Sequence, residues 1–396
     1  MNSVKDYPVT NTSVFLRCDL NVPMKDGCIL DSHRIESSIP TIKYLLSSGA
    51  KVVIASHLGR PNGFDAKHSL KPICDELSRL LDIKIHFIKD ITSQDSISLV
   101  KSLPFGTVCM LENLRFHKEE EAGDENFAKI LSEYATCFVN DAFACSHRKH
   151  ASVFTIAQFL PSFAGLNLLN EVEAINSSLS KNGKNFCIIG GSKISSKIGL
   201  VKNLIHKSSS IFLGGGMANT FLLASGYEIG LSICEEANVK DAQEIISICK
   251  KENCKLILPV DVIVSKSFEK PVNVRLVKLS EIQKDDFIVD VGFQTLKLIE
   301  EQITSSNNVI WNGPAGVYEV SPFNVGSFTI ANLISHYTKN KSISSIVGGG
   351  DAVACANLSG TADEFSFVST AGGAFLEYLE QNTLPGISVI SIPIKR

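Results

Sequence analysis

Basic and amide side chains recur just after short apolar runs in the first half of the chain. The residues that follow four such runs are Arg17, Asp19 and Asn21; His57, Gly59 and Arg60; Glu112, Asn113 and Arg115; and Asn140, Asp141, His147 and Arg148. The planar guanidinium group of arginine binds carboxylate or phosphate through two parallel hydrogen bonds. Together the four clusters predict a shared site for a small, highly anionic ligand. Any one of these residues alone would be interpreted as a surface or capping residue.

Glycines take the equivalent positions after four of five apolar runs in the second half. The segments after its apolar runs are 190–193, 214–216, 259–261, 312–316 and 348–351. Glycine backbone and helix N-termini are suited to binding phosphate. Lys193 and Lys197 are four residues apart, so they share a helix face, which indicates a phosphate clamp or, alternatively, a solvated face. Asp351 follows three glycines and could hold Mg²⁺, which prefers oxygen ligands, or cap a helix.

Other kinds of chemistry have weaker support. His147 and His150 could suggest a metal site, but we find no cysteine or carboxylate at ligand spacing beside them. The 11 cysteines are odd in number and form no C-x-x-C pair, which is typical of reduced, buried thiols. The glycine fingerprints of dinucleotide-binding and P-loop proteins are absent, as are the G-x-S-x-G and H-E-x-x-H motifs of hydrolases.

These residues need parallel strands to bring them together. Short apolar runs alternate with segments of helical spacing, such as 41–48 and 124–135, which indicates βαβ units and mostly parallel sheets. The predicted strands are 14–16, 52–55, 108–111, 137–139, 186–189, 211–213, 256–258, 309–311 and 346–347. In such sheets ligands bind beyond the carboxyl ends of the strands, where the residues above are found.

Length and composition set the class of protein. At about 150 residues per domain, 396 residues favour two or three domains, with a boundary near 161–165 and a bridging helix over 166–179. A net charge of −3 provides no basic field for nucleic acid. The N-terminus lacks a signal peptide and no apolar run reaches the roughly 18 residues of a membrane span, so we expect a cytoplasmic protein without membrane contact.

Ten segments, in order along nearly the whole chain, resemble those of the phosphoglycerate kinase family. They are LRCDLNVP (16–23), SHLGRPNG (56–63), LENLRFH (111–117), NDAF (140–143), SHRKH (146–150), GGSKISSKI (190–198), LGGGMA (213–218), LPVD (258–261), WNGPAGVYE (311–319) and GGGDA (348–352). The resemblance implies an α/β fold with two Rossmann-like domains, mostly parallel sheets, a joining helix and hinge, and an active site in the interdomain cleft.

The resemblance also implies a domain layout and a reaction. The 3-phosphoglycerate-binding domain would span 1–165, the helix 166–180 and the nucleotide-binding domain 181–374, with 375–396 packing back on the first domain. The reaction would be reversible phosphoryl transfer between 1,3-bisphosphoglycerate and Mg-ADP, giving 3-phosphoglycerate and Mg-ATP in glycolysis and gluconeogenesis. A monomer that bends at its hinge, with Mg²⁺ as cofactor and these small molecules as its partners, is expected.

Matching the motifs residue by residue assigns the sites that the resemblance implies. The expected substrate-binding residues are Asp19, Asn21, Arg34, His57, Arg60, Arg115 and Arg148. The expected nucleotide-binding residues are Gly190, Gly191, Lys197, Gly214, Gly215, Asn312, Glu319, Gly349, Gly350, Asp351 and Ala352, with Asp351 reaching the metal. Catalysis would fall to Arg34, Lys193 and Gly350.

Several positions depart from the family pattern. Ala352 replaces a Ser or Thr, Ala371 a glycine, Phe375 a serine, Phe293 the proline of a Gly-Pro pair, and Ala144 a glycine. Two other functions remain open from the residues: a catalytically silent scaffold that binds phosphate metabolites, and a dehydrogenase on a doubly wound sheet. Retention of the basic cluster, both lysines and Asp351 disfavours the scaffold, and the missing glycine fingerprint disfavours the dehydrogenase.

Overall fold

The structure is a computed structural model that describes residues 1–179 and 183–391. It divides into two compact units. The first comprises Met1–Val172 and Thr383–Arg396, of which 392–396 lie outside the described residues, and the second comprises Glu173–Asn382. Among the described residues, no helix is both long enough and apolar enough to cross a membrane.

The first unit is a six-stranded parallel sheet flanked by helices. Its strands are β1 (Ser13–Arg17), β2 (Met24–Lys25), β3 (Cys28–Ile29), β4 (Lys51–Ala55), β5 (Ile85–Ile88), β6 (Val108–Leu111), β7 (Cys137–Asn140) and β8 (Ser162–Ala164). Its helices are α1 (His33–Ser47), α2 (Lys71–Leu81), α3 (Gln94–Ser102), α4 (Lys118–Ala122) and α5 (Glu125–Ser132). The sheet order is β5-β6-β4-β1-β7-β8, while β2 and β3 form a separate hairpin. The central strands are apolar and buried on both faces, as parallel strands covered by helices must be.

The second unit repeats this architecture and adds a small antiparallel sheet. After the connecting helix α6 (Leu166–Ser178) come strands β9 (Asn185–Ile189), β10 (Ser210–Leu213), β11 (Lys255–Ile257), β12 (Asp261–Ser265), β13 (Arg275–Lys278), β14 (Phe287–Val291), β15 (Asn308–Asn312), β16 (Ser344–Gly348) and β17 (Phe367–Ser369). Its helices are α7 (Ile198–Ile205), α8 (Gly215–Ala224), α9 (Val239–Lys251), α10 (Phe293–Ser305), α11 (Val325–Lys339), α12 (Gly350–Leu358) and α13 (Gly372–Gln381). The parallel sheet runs β11-β10-β9-β15-β16-β17, and the antiparallel sheet runs β13-β12-β14.

The predicted α/β class with two Rossmann-like units is confirmed. All nine predicted strands are present, although β11 ends at Ile257, one residue before the predicted end. The short edge strands β5, β8 and β17, the hairpin and the antiparallel sheet were not predicted. A separate apolar core holds the antiparallel sheet together, including Val262, Val264 and Val277.

Both boundaries between the units lie further along the chain than the predicted boundaries after residues 165 and 374. The first division lies inside α6, between Val172 and Glu173, and residue 180 of the predicted helix lies outside the described residues. Helix α13 stays with the second unit because it packs on α7, where Asn203 donates to the carbonyl of Leu379. The return to the first unit comes in α14 (Pro385–Ser388), where the Gly386 N–H donates to the Ser146 carbonyl at 2.8 Å.

Candidate functional site

In the first unit, Arg17 ends β1 in the middle of the sheet and is almost fully buried. Its guanidinium donates through Nε to Ser152 Oγ at 2.9 Å and through Nη1 to the Cys18 carbonyl, while Nη2 lies 3.2 Å from His57 Nδ1. Because arginine is a donor only, Nδ1 of His57 must accept this bond, which leaves the ring proton on Nε2. Arg17 therefore determines the tautomer that His57 presents.

Glu120 supplies the negative charge behind this arginine. Its carboxylate is fully buried and accepts from the Ser152 hydroxyl at 2.6 Å and from the Ser152 N–H at 3.0 Å. Burial raises the pKa of Glu120, and the charge of Arg17 opposes that rise. Sequence reasoning missed Glu120 and Ser152, since Glu120 stands in a run of glutamates that is typical of a solvated helix face.

Four of the predicted substrate-binding residues are linked around Gly59. They are Asp19, Asn21, Arg34 and Arg115. Arg34 Nη1 lies 2.9 Å from Asp19 Oδ2 and donates to the Asn21 carbonyl at 3.1 Å. The Gly59 peptide links Asn21 to Arg115, because its N–H donates to Asn21 Oδ1 at 2.8 Å and its carbonyl accepts from Arg115 Nη1 at 2.7 Å. Gly59 has a φ of +64°, and a Cβ there would lie 2.3 Å from the His68 ring, so this turn requires glycine.

The remaining predicted arginines are exposed. Arg60 follows Gly59 directly, and Arg148 donates through Nε to His147 Nε2 at 2.9 Å. Arg148 is close enough to His150 to help lower its pKa. Both guanidinium groups are therefore accessible to an anion in solution.

The first-unit site carries a positive field that keeps its histidines neutral. The pKa of His57 is held well below its usual value by burial and then by Arg17 and Arg115. Burial and the same arginines lower the pKa of His150 to about 4. Burial, and then Arg148, also lowers the pKa of His147. A bound anion would offset this repulsion, so the electrostatics favour a negatively charged ligand.

Asp19, His57 and Cys145 also bring metal-binding atoms within 4.8 Å of one another. Two of these groups already have an arginine partner, because Asp19 pairs with Arg34 and His57 Nδ1 bonds to Arg17. Cys145 Sγ lies 3.9 Å from the same Nδ1, and burial raises the pKa of its thiol to about 11. The positive field and the protonated thiol both disfavour a cation here.

In the second unit, glycine loops from neighbouring strands interlock. The Gly190 N–H donates to the Asn312 carbonyl at 2.8 Å, and the Gly215 N–H donates to the Ala315 carbonyl at 2.9 Å. A Cβ at Gly190 would lie 1.9 Å from the Pro314 carbonyl oxygen, so no larger residue fits. Gly214, also predicted, precedes the first turn of α8 as its N-cap residue.

Lys197 is a largely buried cation held by neutral oxygens. Its Nζ donates to the Gly190 carbonyl at 2.5 Å and to Asn312 Oδ1 at 2.7 Å. Burial lowers its pKa to about 8, and Asp351 partly opposes that fall. Among the ion pairs found in the described residues, none involves Lys197. A buried ammonium without a carboxylate partner is suited to an anionic ligand.

The N-terminus of α12 lies beside this lysine. Asn312 bridges the two, because its Nδ2 donates to the Gly348 carbonyl at 2.6 Å. Gly349 caps α12 with a φ of +93°, and a Cβ on it would lie 2.3 Å from Asn312 Nδ2. The space around the Cα of Gly350 is open, and the first N–H groups of a helix lack partners within the helix. This end of α12 thus combines free donors with a positive dipole.

An open pocket lies next to these loops. Its lining includes four predicted residues, Gly191, Gly215, Glu319 and Asp351. The antiparallel sheet, which the sequence did not predict, supplies Val262 and residues 287–291, and apolar side chains such as Ile233 and Phe268 complete it. The pocket therefore has one apolar side and one side of glycine backbone and carboxylates, an arrangement typical of a small-molecule site.

The other singled-out residues of the second unit differ in their exposure to solvent. Lys193 is exposed on the loop after β9, and Glu319 and Asp351 are exposed at the pocket. The Tyr318 hydroxyl donates to Asp351 Oδ1 at 3.4 Å. Ala352 is fully buried within the apolar core, and Phe375 is fully buried against Gly348. Phe293, by contrast, is 68% exposed at the start of α10.

Comparison with known proteins agrees with this arrangement over almost the whole chain. A model of the family described as phosphoglycerate kinase matches residues 4–382. The phosphoglycerate kinase of Dictyoglomus turgidum is 42% identical over 388 residues, covering 98% of this chain and 97% of the relative. That of Wolbachia pipientis is 41% identical over 387 residues, covering 97% and 98%.

Solved structures give the same result. The phosphoglycerate kinase from Coxiella burnetii aligns with a TM-score of 0.89 at 37% identity, over 98% of both chains. The phosphoglycerate kinase from Pyrococcus horikoshii aligns with a TM-score of 0.79 at 30% identity, again over 98% of both chains.

Proposed function

The chain belongs to the phosphoglycerate kinase family, and on that basis we propose which of its residues bind each substrate and which act on the transferred group. The chain is a glycolytic phosphotransferase that catalyses reversible phosphoryl transfer between 1,3-bisphosphoglycerate and ADP, giving 3-phosphoglycerate and ATP. In this proposal each of the two units binds one of the two substrates.

We assign 3-phosphoglycerate to the first unit. Arg34, Arg60, Arg115 and Arg148, with the Nε2 proton of His57, offer donors to its carboxylate and phosphate, and Asp19 and the Asn21 carbonyl orient Arg34. The support is the positive field of Arg17, Arg115 and Arg34, which adds to burial in holding the pKa of His57 well below its usual value. Such a field costs free energy in the empty site and is relieved when an anion binds.

We assign the nucleotide to the second unit, and the observation that carries this assignment is Lys197. Its ammonium is partly buried, donates to two neutral oxygens, has no ion-pair partner among the described residues and lies beside the N-terminus of α12. Phosphate oxygens would supply the missing negative charge, while the free N–H groups of Gly350 and Asp351 would donate to them. The pocket beside Glu319 would then hold the nucleoside, with the ribose near that carboxylate.

The residues present fit a Mg²⁺ ion carried in by the nucleotide. Asp351 is an exposed carboxylate at the pocket, and Mg²⁺ commonly takes one or two carboxylates while phosphates and waters complete its shell. When bound, the ion would neutralise phosphate charge during transfer. Tyr318 donates to Asp351 Oδ1 and so directs the carboxylate.

The chemistry needs positioning more than proton transfer. A carboxylate or an ADP oxygen is the attacking group, and neither carries a proton at neutral pH, so no general base is required. Lys193, Arg34 and the Gly350 N–H are proposed to neutralise charge on the moving phosphoryl group. Since the two substrates are assigned to different units, we propose that hinge bending brings them together before transfer.

We further propose that the chain works as a monomer in the cytoplasm on small molecules rather than nucleic acid. The net charge of −3 and the 11 cysteines, all of them free thiols, support this. Reduced thiols are typical of a reducing compartment.

A coupled assay tests the reaction and its assignment together. ATP consumption that depends on 3-phosphoglycerate is expected. NAD reduction would instead indicate a dehydrogenase, and the absence of both signals would indicate a scaffold. Lys197→Ala should abolish most activity while calorimetric binding of 3-phosphoglycerate persists. The matched control is Lys202→Ala, on α7, whose lysine pairs with Glu244 at 2.8 Å. Unchanged nucleotide affinity and rate in Lys197→Ala would overturn the assignment.

A further inference from the structure

Two cysteines occupy the C-terminal end of α9 in the second unit. Asn253 has a φ of +55°, and the Cys254 N–H donates to the Cys249 carbonyl at 3.0 Å. This is the Schellman arrangement, in which the residue after the left-handed position bonds back to the third residue from the helix end. The turn therefore brings the backbones of Cys249 and Cys254 together.

Side chains at these two positions of a Schellman turn usually touch, and apolar residues usually occupy them. Here both are free cysteines, and both line the same surface pocket. A disulfide requires the two Cβ atoms to lie within about 3.5–4.5 Å. Side chains that line one pocket across a tight turn need little movement to meet that requirement.

The pair is shielded yet reachable. Cys249 is 2% exposed and Cys254 is 4% exposed, but both line a surface pocket together with the exposed residues Lys250 and Lys255. A hydroperoxide is small enough to enter such a pocket, whereas a protein partner is not. This pocket shares Pro259 with the proposed nucleotide pocket and contains none of the residues assigned to substrate or nucleotide.

We propose that Cys249 and Cys254 are a modification site that forms an intramolecular disulfide when the protein meets a hydroperoxide. The role is independent of phosphoryl transfer, because neither cysteine belongs to the proposed catalytic machinery.

The reaction balances with hydrogen peroxide as the oxidant. The Cys249 thiolate attacks one peroxide oxygen, so that an S–O bond forms, the O–O bond breaks and hydroxide leaves to become water. Cys249 is thereby oxidised to sulfenic acid. The Cys254 thiol then loses its proton and attacks the Cys249 sulfur, forming the S–S bond and releasing the sulfenic oxygen as a second water. In total, two thiols and one peroxide give one disulfide and two waters.

The pKa values of the two thiols shift in opposite directions. We therefore assign the attack on the peroxide to Cys249 and the second attack to Cys254. The neighbouring Cys254 lowers the pKa of Cys249, whereas Cys249 and burial raise the pKa of Cys254. The carbonyl end of α9 offsets part of this lowering, so the closeness of the two cysteines across the turn is what favours disulfide formation.

Trypsin offers a direct readout on the full chain. Cleavage after Lys250 and Lys251 separates the cysteines, placing Cys249 in peptide 241–250 and Cys254 in peptide 252–255. We would treat the native protein with hydrogen peroxide, quench with N-ethylmaleimide at low pH, digest and analyse by mass spectrometry. The expected product is these two peptides joined by a disulfide, several-fold more abundant than any other cysteine pair and lost after dithiothreitol.

Variants check the order of the steps. Cys254→Ser should stop the reaction at a Cys249 sulfenic acid that dimedone traps, and Cys249→Ser should give no linked peptide. Cys28→Ser, at an exposed cysteine of the first unit, should leave the yield unchanged. The proposal is overturned if both peptides from oxidised wild-type protein carry maleimide, or if either cysteine is found mainly linked to a different one.

Discussion

Arg17 Nη2 lies 3.2 Å from Nδ1 of His57, and the same guanidinium donates to Ser152, whose hydroxyl donates to Glu120. A buried arginine is thus placed between the histidine of the proposed substrate site and a buried carboxylate. It fixes the ring tautomer and adds to the positive field, while Glu120 compensates its charge.

Arg17→Lys should therefore impair both stability and substrate binding. A lysine ammonium keeps the charge but cannot reach Ser152, the Cys18 carbonyl and His57 at once. We expect the free energy of unfolding to fall by about 1.5–3 kcal/mol, the usual worth of a hydrogen bond to a charged group. The KM for 3-phosphoglycerate should rise while that for ATP stays unchanged. Arg79→Lys, at an exposed position of α2, is the control, and equal stability of the two variants would contradict this role for Arg17.

The buried histidines predict a loss of stability in acid. The pKa of His150 is about 4 in the folded protein against an ordinary value of 6.5, so the unfolded chain binds more protons between these values. Stability contributed by the neutral ring is present above pH 6.5 and lost as the pH falls towards 4. Buried carboxylates such as Asp141, whose pKa is raised to about 6 by burial, act in the opposite direction.

A difference measurement isolates the histidine. Urea unfolding of the wild type and of His150→Asn from about pH 4 to neutral pH should show a shallower decline in acid for the variant. His336→Asn, at an exposed histidine in the second unit, should follow the wild type. Parallel pH curves for all three proteins would mean that His150 is not held neutral by its surroundings.

Lys193→Ala is expected to lower the maximal rate far more than it weakens nucleotide binding. The side chain is exposed and is proposed to contact only the moving phosphoryl group, so its removal affects the transition state selectively. Groups of this kind are commonly worth about 10² to 10³ in rate. Steady-state kinetics, with Lys202→Ala as control, measure this loss of maximal rate. A raised KM for ATP at an unchanged maximal rate would instead make Lys193 a binding residue.

Arg148→Ala should raise the KM for 3-phosphoglycerate and leave nucleotide affinity nearly unchanged. The guanidinium is exposed and belongs to the first-unit site, where it faces His147 and influences His150. Lys149→Ala is a matched control, since that neighbouring cation lies over the Phe154 ring instead. Calorimetry with each substrate separates the two affinities, and a joint loss of both would contradict the division between the units.

Ala352→Thr tests the departure nearest to the proposed phosphate site. A hydroxyl there would be expected from the family pattern to tighten nucleotide binding a few-fold, but Ala352 is fully buried in the core with Trp311 and Cys355. Overpacking such a site typically costs about 1–3 kcal/mol. We therefore expect a lower melting temperature with little gain in affinity. Tighter Mg-ADP binding at unchanged stability would show that the core has room for the hydroxyl.

Sequence patterns alone established the class of fold and most of the candidate residues. Alternating apolar runs and helical segments are local patterns, so nine strands and the Gly190 and Gly348 loops could be located without tertiary information. The expectation that side chains after the runs would converge rests on the shared edge of a parallel sheet. Arg34 was available only from resemblance, because it lies on α1 rather than at a strand end.

The features that the sequence did not predict depend on contacts between segments that are distant along the chain. Glu120 compensates Arg17 across more than a hundred residues of chain, and no local pattern marks an exposed-looking glutamate as buried. The antiparallel sheet that lines the nucleotide pocket was missed because its strands pair with one another and do not alternate with helices as the strands of a parallel sheet do. The burial of Ala352 and the closeness of Cys249 and Cys254 could not be predicted either, because packing sets the first and the left-handed turn at Asn253 sets the second.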